Sequence, residues 1–341
     1  MDSLEYTAPQ YAEAEAKKAY RSAGTALFAF IVATQLAAIF ISIVPLLFFP
    51  QLINTDWFVL ALNFVCIYCV GAPFFFLIFG KTTAFPQEKK KMPTRHLICA
   101  AFIAISCIYV FNVLTIIIMT GLEAIFDTSF TNRLDETLGN ANLWLAILST
   151  VVIAPIMEEL IFRKMLCDRL APHGEWQAII FSALAFALFH TNLQQILYAF
   201  TLGCVFGVIY VRTRNIVYTM ILHAIVNFIG SVPGLLLLRS DLVGVLDRFV
   251  NMTAENDTVA LLEYFLENAH IIIPYLLYCV VLVMVVLTGI ILGLINLMKL
   301  IRAADGRTMP KKRRFVIMFS GVFTILYVVV AMSLTVYSLF A

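Results

Sequence analysis

The sequence predicts an all-α protein, a polytopic bundle of transmembrane helices. Of its 341 residues, 62% are hydrophobic and only 13% are charged, and the mean hydropathy is +0.94. These values lie well outside the range of soluble globular domains. The chain is therefore expected to be an integral membrane protein.

Nine apolar stretches are long enough to cross the hydrocarbon core of a bilayer, which takes about 20 helical residues. They cover 24–49, 57–80, 97–121, 142–160, 177–191, 194–211, 216–238, 271–298 and 315–340. The connection between the fifth and sixth stretches is very short, from about Thr191 to Gln194. These two stretches are therefore predicted to form either a tight hairpin or one re-entrant element.

The stretches divide the chain into five parts. A cytoplasmic N-terminal segment is followed by N-terminal transmembrane helices, a central group of helices, an extracytoplasmic loop and C-terminal transmembrane helices. The corresponding ranges are 1–23, 24–141, 142–238, 239–270 and 271–341.

The distribution of Lys and Arg predicts the orientation in the membrane, because cytoplasmic loops carry an excess of both. With the N-terminus in the cytoplasm, only three of the 23 basic residues fall in extracytoplasmic loops, namely Arg133, Arg239 and Arg248. An odd number of crossings then places the C-terminus outside.

Two smaller patterns are interpreted as packing. The seven cysteines are odd in number and most lie within apolar runs, which argues against a disulfide framework, and Cys66 and Cys69 have no second pair or nearby histidine. Gly203-x-x-x-Gly207 is typical of a close contact between two membrane helices, here expected within the same chain.

Three polar signatures interrupt the apolar stretches of the central group. Ionisable side chains at membrane depth are costly and are functional candidates by default. The signatures are Glu158-Glu159-x-x-x-Arg163, Phe186-x-x-x-His190 and His223-x-x-x-Asn227.

The two adjacent acids of the first signature are predicted to have different roles, because neighbouring side chains project about 100° apart on a helix. Glu159 and Arg163 are four residues apart and suit an ion pair. Glu158 is then left available as a general acid or base. Pro155 removes a backbone hydrogen bond one turn earlier and is expected to loosen the helix there.

The histidines and Asn227 have a simpler alternative role as hydrogen-bonding contacts between helices. Together with Glu158, however, two imidazoles can hold a divalent metal, or can position a water and stabilise an oxyanion. This set suits hydrolysis of an amide. It predicts that Glu158, His190 and His223 meet in one cavity that opens toward the cytoplasm.

In this order, the three signatures resemble the motifs of the CPBP family of intramembrane peptidases, which includes CAAX proteases and bacteriocin-processing enzymes and is also called the Abi family. The resemblance covers roughly Leu143 to Leu238. It implies that 142–238 is a catalytic core and that the protein is a glutamate-dependent, membrane-embedded endopeptidase.

The resemblance also implies roles for individual residues. Carried over by motif position, activation of the hydrolytic water falls to Glu158 and His190, and the oxyanion site to His223 and Asn227. A supporting set fixes Glu158 and its surroundings and consists of Glu159, Arg163 and Phe186. The motifs do not decide whether a metal takes part. If one binds, zinc is the expected ion, with Glu158, His190 and His223 as its ligands.

The substrate is not identified by the sequence. A peptidase of the bacterial cell membrane, acting in bacteriocin processing or self-immunity, is the preferred hypothesis. A CAAX prenyl endopeptidase that removes a C-terminal tripeptide is the alternative, and a non-catalytic scaffold or transporter is the alternative of a different class. The expected partners are the bilayer and a peptide or protein substrate, with no nucleic acid, and the chain is expected to be a monomer.

Overall fold

The computed structural model describes residues 8–53, 55–84, 88–130, 141–238, 240–254, 257–302 and 313–340. Within these ranges all regular elements are helical, which confirms the predicted all-α bundle. Some basic residues on which the orientation was predicted lie outside the described ranges, namely Arg133, Arg239, Arg307, Lys311 and Lys312.

The helices follow the predicted apolar stretches closely. In chain order the main helices are α1 (Ala8–Phe48), α2 (Asp56–Phe79), α3 (Thr94–Phe126), α4 (Leu143–His173), α5 (Glu175–Phe189), α6 (Leu193–Thr213), α7 (Ile216–Leu238), α8 (Leu242–Ala254), α9 (Thr258–Glu267), α10 (Ala269–Arg302) and α11 (Val322–Phe340). Shorter helical segments lie at Pro50–Ile53 and Arg314–Met318. Long helices are expected here because backbone N–H and C=O groups in hydrocarbon must bond within the segment.

The count of full crossings differs from the predicted nine. In the described ranges, eight helices are long and apolar enough to cross a membrane, and α5 is not one of them. With 15 residues, α5 is about 22 Å long, short of a hydrocarbon core of about 30 Å.

The fifth and sixth stretches form the tight hairpin, one of the two predicted alternatives. α5 and α6 pack against each other along their length. The turn between them is made by Thr191, whose φ is 45°, and by Asn192, whose side chain accepts a hydrogen bond from the backbone N–H of Gln194 at 2.9 Å. The chain therefore reverses direction directly after α5, and α6 runs back along it.

Contacts between helices and the segment that joins α2 to α3 gather the basic segments at one end of the bundle. The Ser22 and Thr82 hydroxyls are 2.8 Å apart, and Arg169 Nε donates to the Thr82 carbonyl at 3.0 Å. The backbone N–H of Lys90 donates to the Thr213 carbonyl at 2.7 Å. We call this end, which holds Ser22, Thr82, Lys90, Arg169 and Thr213, the basic end.

The opposite end, which we call the far end, holds the turn between α5 and α6. Ser338 Oγ in the last helix donates to the Thr191 carbonyl at 3.1 Å, and the Phe130 and Phe340 rings are 5.5 Å apart. α1 starts at the basic end and α11 finishes at the far end. These positions match an odd number of helices that run between the two ends, of which α5 is the shortest.

Two glycines on α6 allow the close approach of α5. A Cβ built on Gly203 would lie 2.7 Å from Ala183 Cα, and one on Gly207 would lie 3.0 Å from Ile179 Cγ2. The Gly203-x-x-x-Gly207 pattern thus serves packing within the chain. Because α5 carries His190, this contact also positions the site described below.

Replacement of Gly203 by leucine should destabilise the protein, because the new side chain has no room against the α5 backbone. Overpacking of this kind costs at least about 1–3 kcal/mol. Thermal unfolding in detergent should show a clearly lower midpoint for Gly203→Leu. Gly121→Leu is the matched control, since a Cβ there meets nothing within 4 Å. An equal effect of both substitutions would contradict this packing.

Candidate active site

α4 has a wider helical winding on both sides of Pro155. The segments Leu148–Ile153 and Glu159–Cys167 are π-helical, and Pro155 lies between them without a backbone N–H to donate. π-helical turns occur frequently at functional sites. Glu158 and Glu159 lie where the helix changes winding, and both side chains are buried. This π-helical winding agrees with the expectation that Pro155 loosens α4.

Glu159 contacts two partners on different helices, Arg163 on α4 and His223 on α7. Its Oε1 lies 3.2 Å from Arg163 Nη1 and 3.0 Å from His223 Nδ1. Since a carboxylate only accepts, His223 donates through Nδ1. The predicted pair of Glu159 and Arg163 is therefore present, but the partner that Glu159 orients is His223 on α7 and not Glu158.

Phe186 contacts each of the basic groups of the site. Its ring lies 4.5 Å from Arg163 Cζ, in a cation–π contact. Its ring centroid is 4.8 Å from that of His190 and 5.6 Å from that of His223. Its carbonyl oxygen lies 2.9 Å from His190 Nδ1. This nitrogen must carry a proton to donate, which leaves Nε2 as the basic nitrogen of a neutral His190 ring.

Glu158 faces two groups, one of which lies outside the three signatures. Its Oε2 is 3.5 Å from His223 Nε2, and its Oε1 accepts a hydrogen bond from the Tyr68 hydroxyl at 3.4 Å. Tyr68 lies on α2, in the π-helical segment Val65–Gly71. The sequence analysis missed Tyr68, because a single tyrosine in an apolar helix has no spacing or motif that marks it.

Asn227 on α7 is held by a hydrogen bond to α4. Its Nδ2 donates to the Thr150 carbonyl at 2.8 Å, in the π-helical segment that precedes Pro155. An asparagine amide has two N–H groups, so one of them fixes the side chain while the other can serve a ligand.

The predicted residues meet in one cavity of about 480 Å³, a size typical of sites for small ligands. Glu158, His190, His223 and Asn227 all line it, together with Tyr68. The prediction of convergence agrees with this geometry. From the site the cavity extends toward Asn192 and the far end. The side of the membrane that this end faces stays a prediction, because it rests on the orientation of the chain.

The three side chains named as ligands do not form a closed set for a metal. Among the described residues, no three His, Cys, Asp or Glu side chains are arranged to hold an ion. The Nδ1 atoms of both histidines are bonded, to the Phe186 carbonyl and to Glu159, which leaves Nε2 as the nitrogen that a metal would use. The chemistry below is derived without a metal step, and zinc remains a prediction for metal analysis of the purified protein.

Residues 140–229 match the family model described as type II CAAX prenyl endopeptidase Rce1-like. All three polar signatures lie inside the matched segment. The match covers about a quarter of the chain and supports the resemblance of this segment to the CPBP family. In general terms it supports a CAAX-type intramembrane endopeptidase, a membrane hydrolase. No curated protein sequence and no solved structure matches the chain.

Loss of the Arg163 charge should unfold the protein more easily, because the buried Glu159 carboxylate loses its cation. Removal of one partner from a buried pair costs about 3–5 kcal/mol. Arg163→Met should lower the unfolding midpoint strongly, and the double variant Glu159→Gln with Arg163→Met should recover part of the loss. Lys164→Met is the control, since Lys164 is half exposed and pairs with Asp168 near the surface. Equal midpoints for Arg163→Met and Lys164→Met would argue against this pair.

Proposed function

We propose that the protein hydrolyses a peptide bond of a membrane-associated or small peptide substrate in the cavity between α4, α5 and α7. The observation that carries this proposal is the placement of Glu158, His190, His223 and Asn227 on one cavity. A carboxylate, two imidazoles and an amide supply a base, an acid and oxyanion donors. The match of residues 140–229 to the model of a protease family supports the same chemistry.

In the proposed reaction, a water molecule in the cavity attacks the carbonyl carbon of the scissile bond. Glu158 takes one proton of this water, with His190 Nε2 as a second acceptor beside the cavity. A C–O bond forms, and the carbonyl oxygen becomes an oxyanion. The proton then passes from Glu158 to the amide nitrogen, the C–N bond breaks, and a carboxylic acid and an amine are released.

His223 and Asn227 are proposed to stabilise the oxyanion. Asn227 has a second N–H besides the one bonded to Thr150. His223 donates Nδ1–H to Glu159, and its Nε2 lies 3.5 Å from Glu158 Oε2, so that a proton on Nε2 can be donated to the oxyanion formed beside Glu158. Hydrogen bonds placed in advance for the developing charge act strongly where water is excluded.

Two substrate classes fit the proposal. The first is a small peptide of the bacteriocin-processing or self-immunity type. The second is a prenylated CAAX peptide that loses its C-terminal tripeptide, which the description of the matching family favours. Cleavage rates for a farnesylated CAAX peptide and for the same peptide without the lipid distinguish them, because a CAAX enzyme requires the prenyl group.

Substitution of Glu158 by glutamine should abolish cleavage while the protein remains folded. Removal of a general base costs at least about 100-fold in rate, and glutamine keeps the shape of the side chain. Cleavage of quenched peptides by purified Glu158→Gln and His223→Ala should fall to background. Glu263→Gln, an exposed acid on α9, is the control and should retain the native rate. Cleavage that survives in both site variants would remove the assignment to this cavity.

Tyr68 should contribute to the rate through its hydrogen bond to Glu158. A hydrogen bond to a charged group contributes about 1.5–3 kcal/mol, so Tyr68→Phe should lower kcat by roughly tenfold or more while KM changes little. Tyr109→Phe removes a hydroxyl that bonds the Ile229 carbonyl outside the cavity lining, and should leave kcat unchanged. A native kcat for Tyr68→Phe would mean that this hydroxyl has no part in the reaction.

A further inference from the structure

We infer that Gln35 on α1 and Asn63 on α2 bind the backbone of the substrate peptide and help to select which peptides the site accepts. Both helices lie outside residues 140–229, the segment that matches the family model. Cleavage of the bound peptide rests on the proposed function, whereas the placement of the two amides rests on the structure and the sequence.

α1 and α2 form one wall of the cavity, and each lines it mainly with one face of the helix. The lining residues are Ile31, Thr34, Gln35 and Ala38 on α1, and Leu60, Asn63, Phe64, Cys66, Ile67 and Tyr68 on α2. Spacings of three and four residues recur in both sets, as expected for side chains on one helix face. Gln35 and Asn63 therefore belong to the two faces that a ligand in the cavity contacts.

Each of these faces holds the only side-chain amide of its apolar stretch. Gln35 is the only Asn or Gln within 24–49, and Asn63 is the only one within 57–80. A primary amide without a hydrogen bond is costly in apolar surroundings. On both helices, however, the single amide lines the cavity. This coincidence indicates that the amides serve the cavity.

Neither amide is used within the protein. The side chains of Gln35 and Asn63 make no hydrogen bond with another residue in the described ranges, in contrast to Asn227, which is bonded to Thr150. A primary amide carries two N–H donors and a carbonyl acceptor. These groups pair with the C=O and N–H of a peptide unit, so both side chains remain available to a substrate backbone.

Gln35 lies near the level of the reacting groups. α1 and α2 are antiparallel, and a Cβ built on Gly71 of α2 would meet Thr34 Oγ1 of α1. Tyr68 precedes Gly71 by three residues, and its hydroxyl donates to Glu158. Gln35 follows Thr34 and thus lies close to the level of Tyr68. It is placed for a peptide group beside the scissile bond.

Asn63 lies farther from the reacting groups along the same wall. It precedes Tyr68 by five residues on α2, which is about 7 Å at 1.5 Å per residue. An extended peptide spans about 3.3–3.6 Å per residue, so it covers this distance with about two or three residues. Asn63 is therefore placed for a peptide group about two or three residues from the scissile bond.

Recognition of the backbone suits a cavity with few charges. Apart from Glu158 and the two histidines, the described lining residues are uncharged. A charged substrate side chain beside Gln35 or Asn63 would lose its hydration without gaining an ionic partner. The substrate segment between the two amides is therefore uncharged, and its backbone supplies the polar groups that the amides bind.

Leucine substitutions test the two amides. Gln35→Leu and Asn63→Leu keep a side chain of similar size that cannot form hydrogen bonds. One hydrogen bond between neutral groups corresponds to about 2- to 10-fold, so kcat/KM for uncharged quenched octapeptides should fall by that factor in each variant, through a higher KM. The unfolding midpoint should not fall, because neither substitution leaves a protein group unpaired. Gln194→Leu, which removes an amide of α6 outside the cavity lining, is the control and should keep the native kcat/KM.

Ester substitutions in the best-cleaved octapeptide test whether the contact is with the backbone. Each peptide of this set has one amide replaced by an ester, which removes one N–H group, and the scissile bond is left unchanged. With the native protein, one ester beside the scissile bond and one about two or three residues away should lower kcat/KM. The first ester should have no further effect in Gln35→Leu, and the second none in Asn63→Leu.

Three results would overturn the inference. They are a native kcat/KM in both leucine variants, ester effects that are equal in the native and variant proteins, and a lowered unfolding midpoint in both variants, which would show a structural role instead.

Peptide binding separates this inference from the proposed function. The binding of fluorescent octapeptides of the same set is measured with Glu158→Gln, alone and combined with each leucine substitution. Binding that both leucine substitutions weaken, without cleavage by the native protein, would reject the peptidase and keep the two amides. Cleavage by the native protein, with binding and kcat/KM unchanged by the leucine substitutions, would keep the peptidase and reject the amides. The absence of both binding and cleavage would reject both.

Discussion

The buried Glu159 carboxylate is the constraint on which the rest of the site depends. It lies in a bundle of apolar helices with its side chain fully buried, and the side chain of Arg163 is equally buried. Neither charge is tolerable alone in such surroundings, so each requires the other. His223 adds a third contact at 3.0 Å, which brings α7 against α4 at this level. The apolar surroundings oblige Glu159 to find partners, and one of them, His223, lies on α7. Glu159 therefore joins the two helices α4 and α7, which carry the chemistry.

This arrangement also gives the two neighbouring acids, Glu158 and Glu159, different roles. Glu159 lies beside Arg163 and His223 through its Oε1, whereas Glu158 has no arginine beside it and lines the cavity. The Phe186 ring contacts the Arg163 guanidinium and both imidazoles, and Arg163 lies against Glu159 at 3.2 Å. The ion pair of Arg163 in the described structure is therefore with Glu159, the acid that also contacts His223. A reactive carboxylate beside an orienting one requires this pairing, because a direct pair with Arg163 would occupy Glu158.

The parts of this site that depend on local spacing could be predicted from the sequence. The i, i+4 relation of Glu159 and Arg163, the apolar runs of the helices and the order of the motifs all follow from positions along the chain, and each agrees with the structure. Other features depend on contacts between distant segments. Tyr68 reaches Glu158 from α2, 90 positions away in the chain, and the choice of His223 as the partner of Glu159 depends on how α7 is rotated. The stretch 177–191 was counted as a full crossing although it is no longer than the 15 residues of α5, because the apolar pattern continues beyond the turn into α6.

The direction in which the cavity extends could not be predicted from the depth of Glu158 in the membrane. The distance of Glu158 from the basic loops does not tell which half of the bundle is packed with side chains and which half contains the cavity. The structure fills the basic half with Phe162, Leu166 and the pair of Asp168 with Arg214, and leaves space in the other half where α5 ends early. A membrane hydrolase needs water at its site, yet a water-filled path through the whole bundle would let ions cross the membrane. A short α5 that makes room on one side, above an apolar and ion-paired seal on the other, meets both requirements.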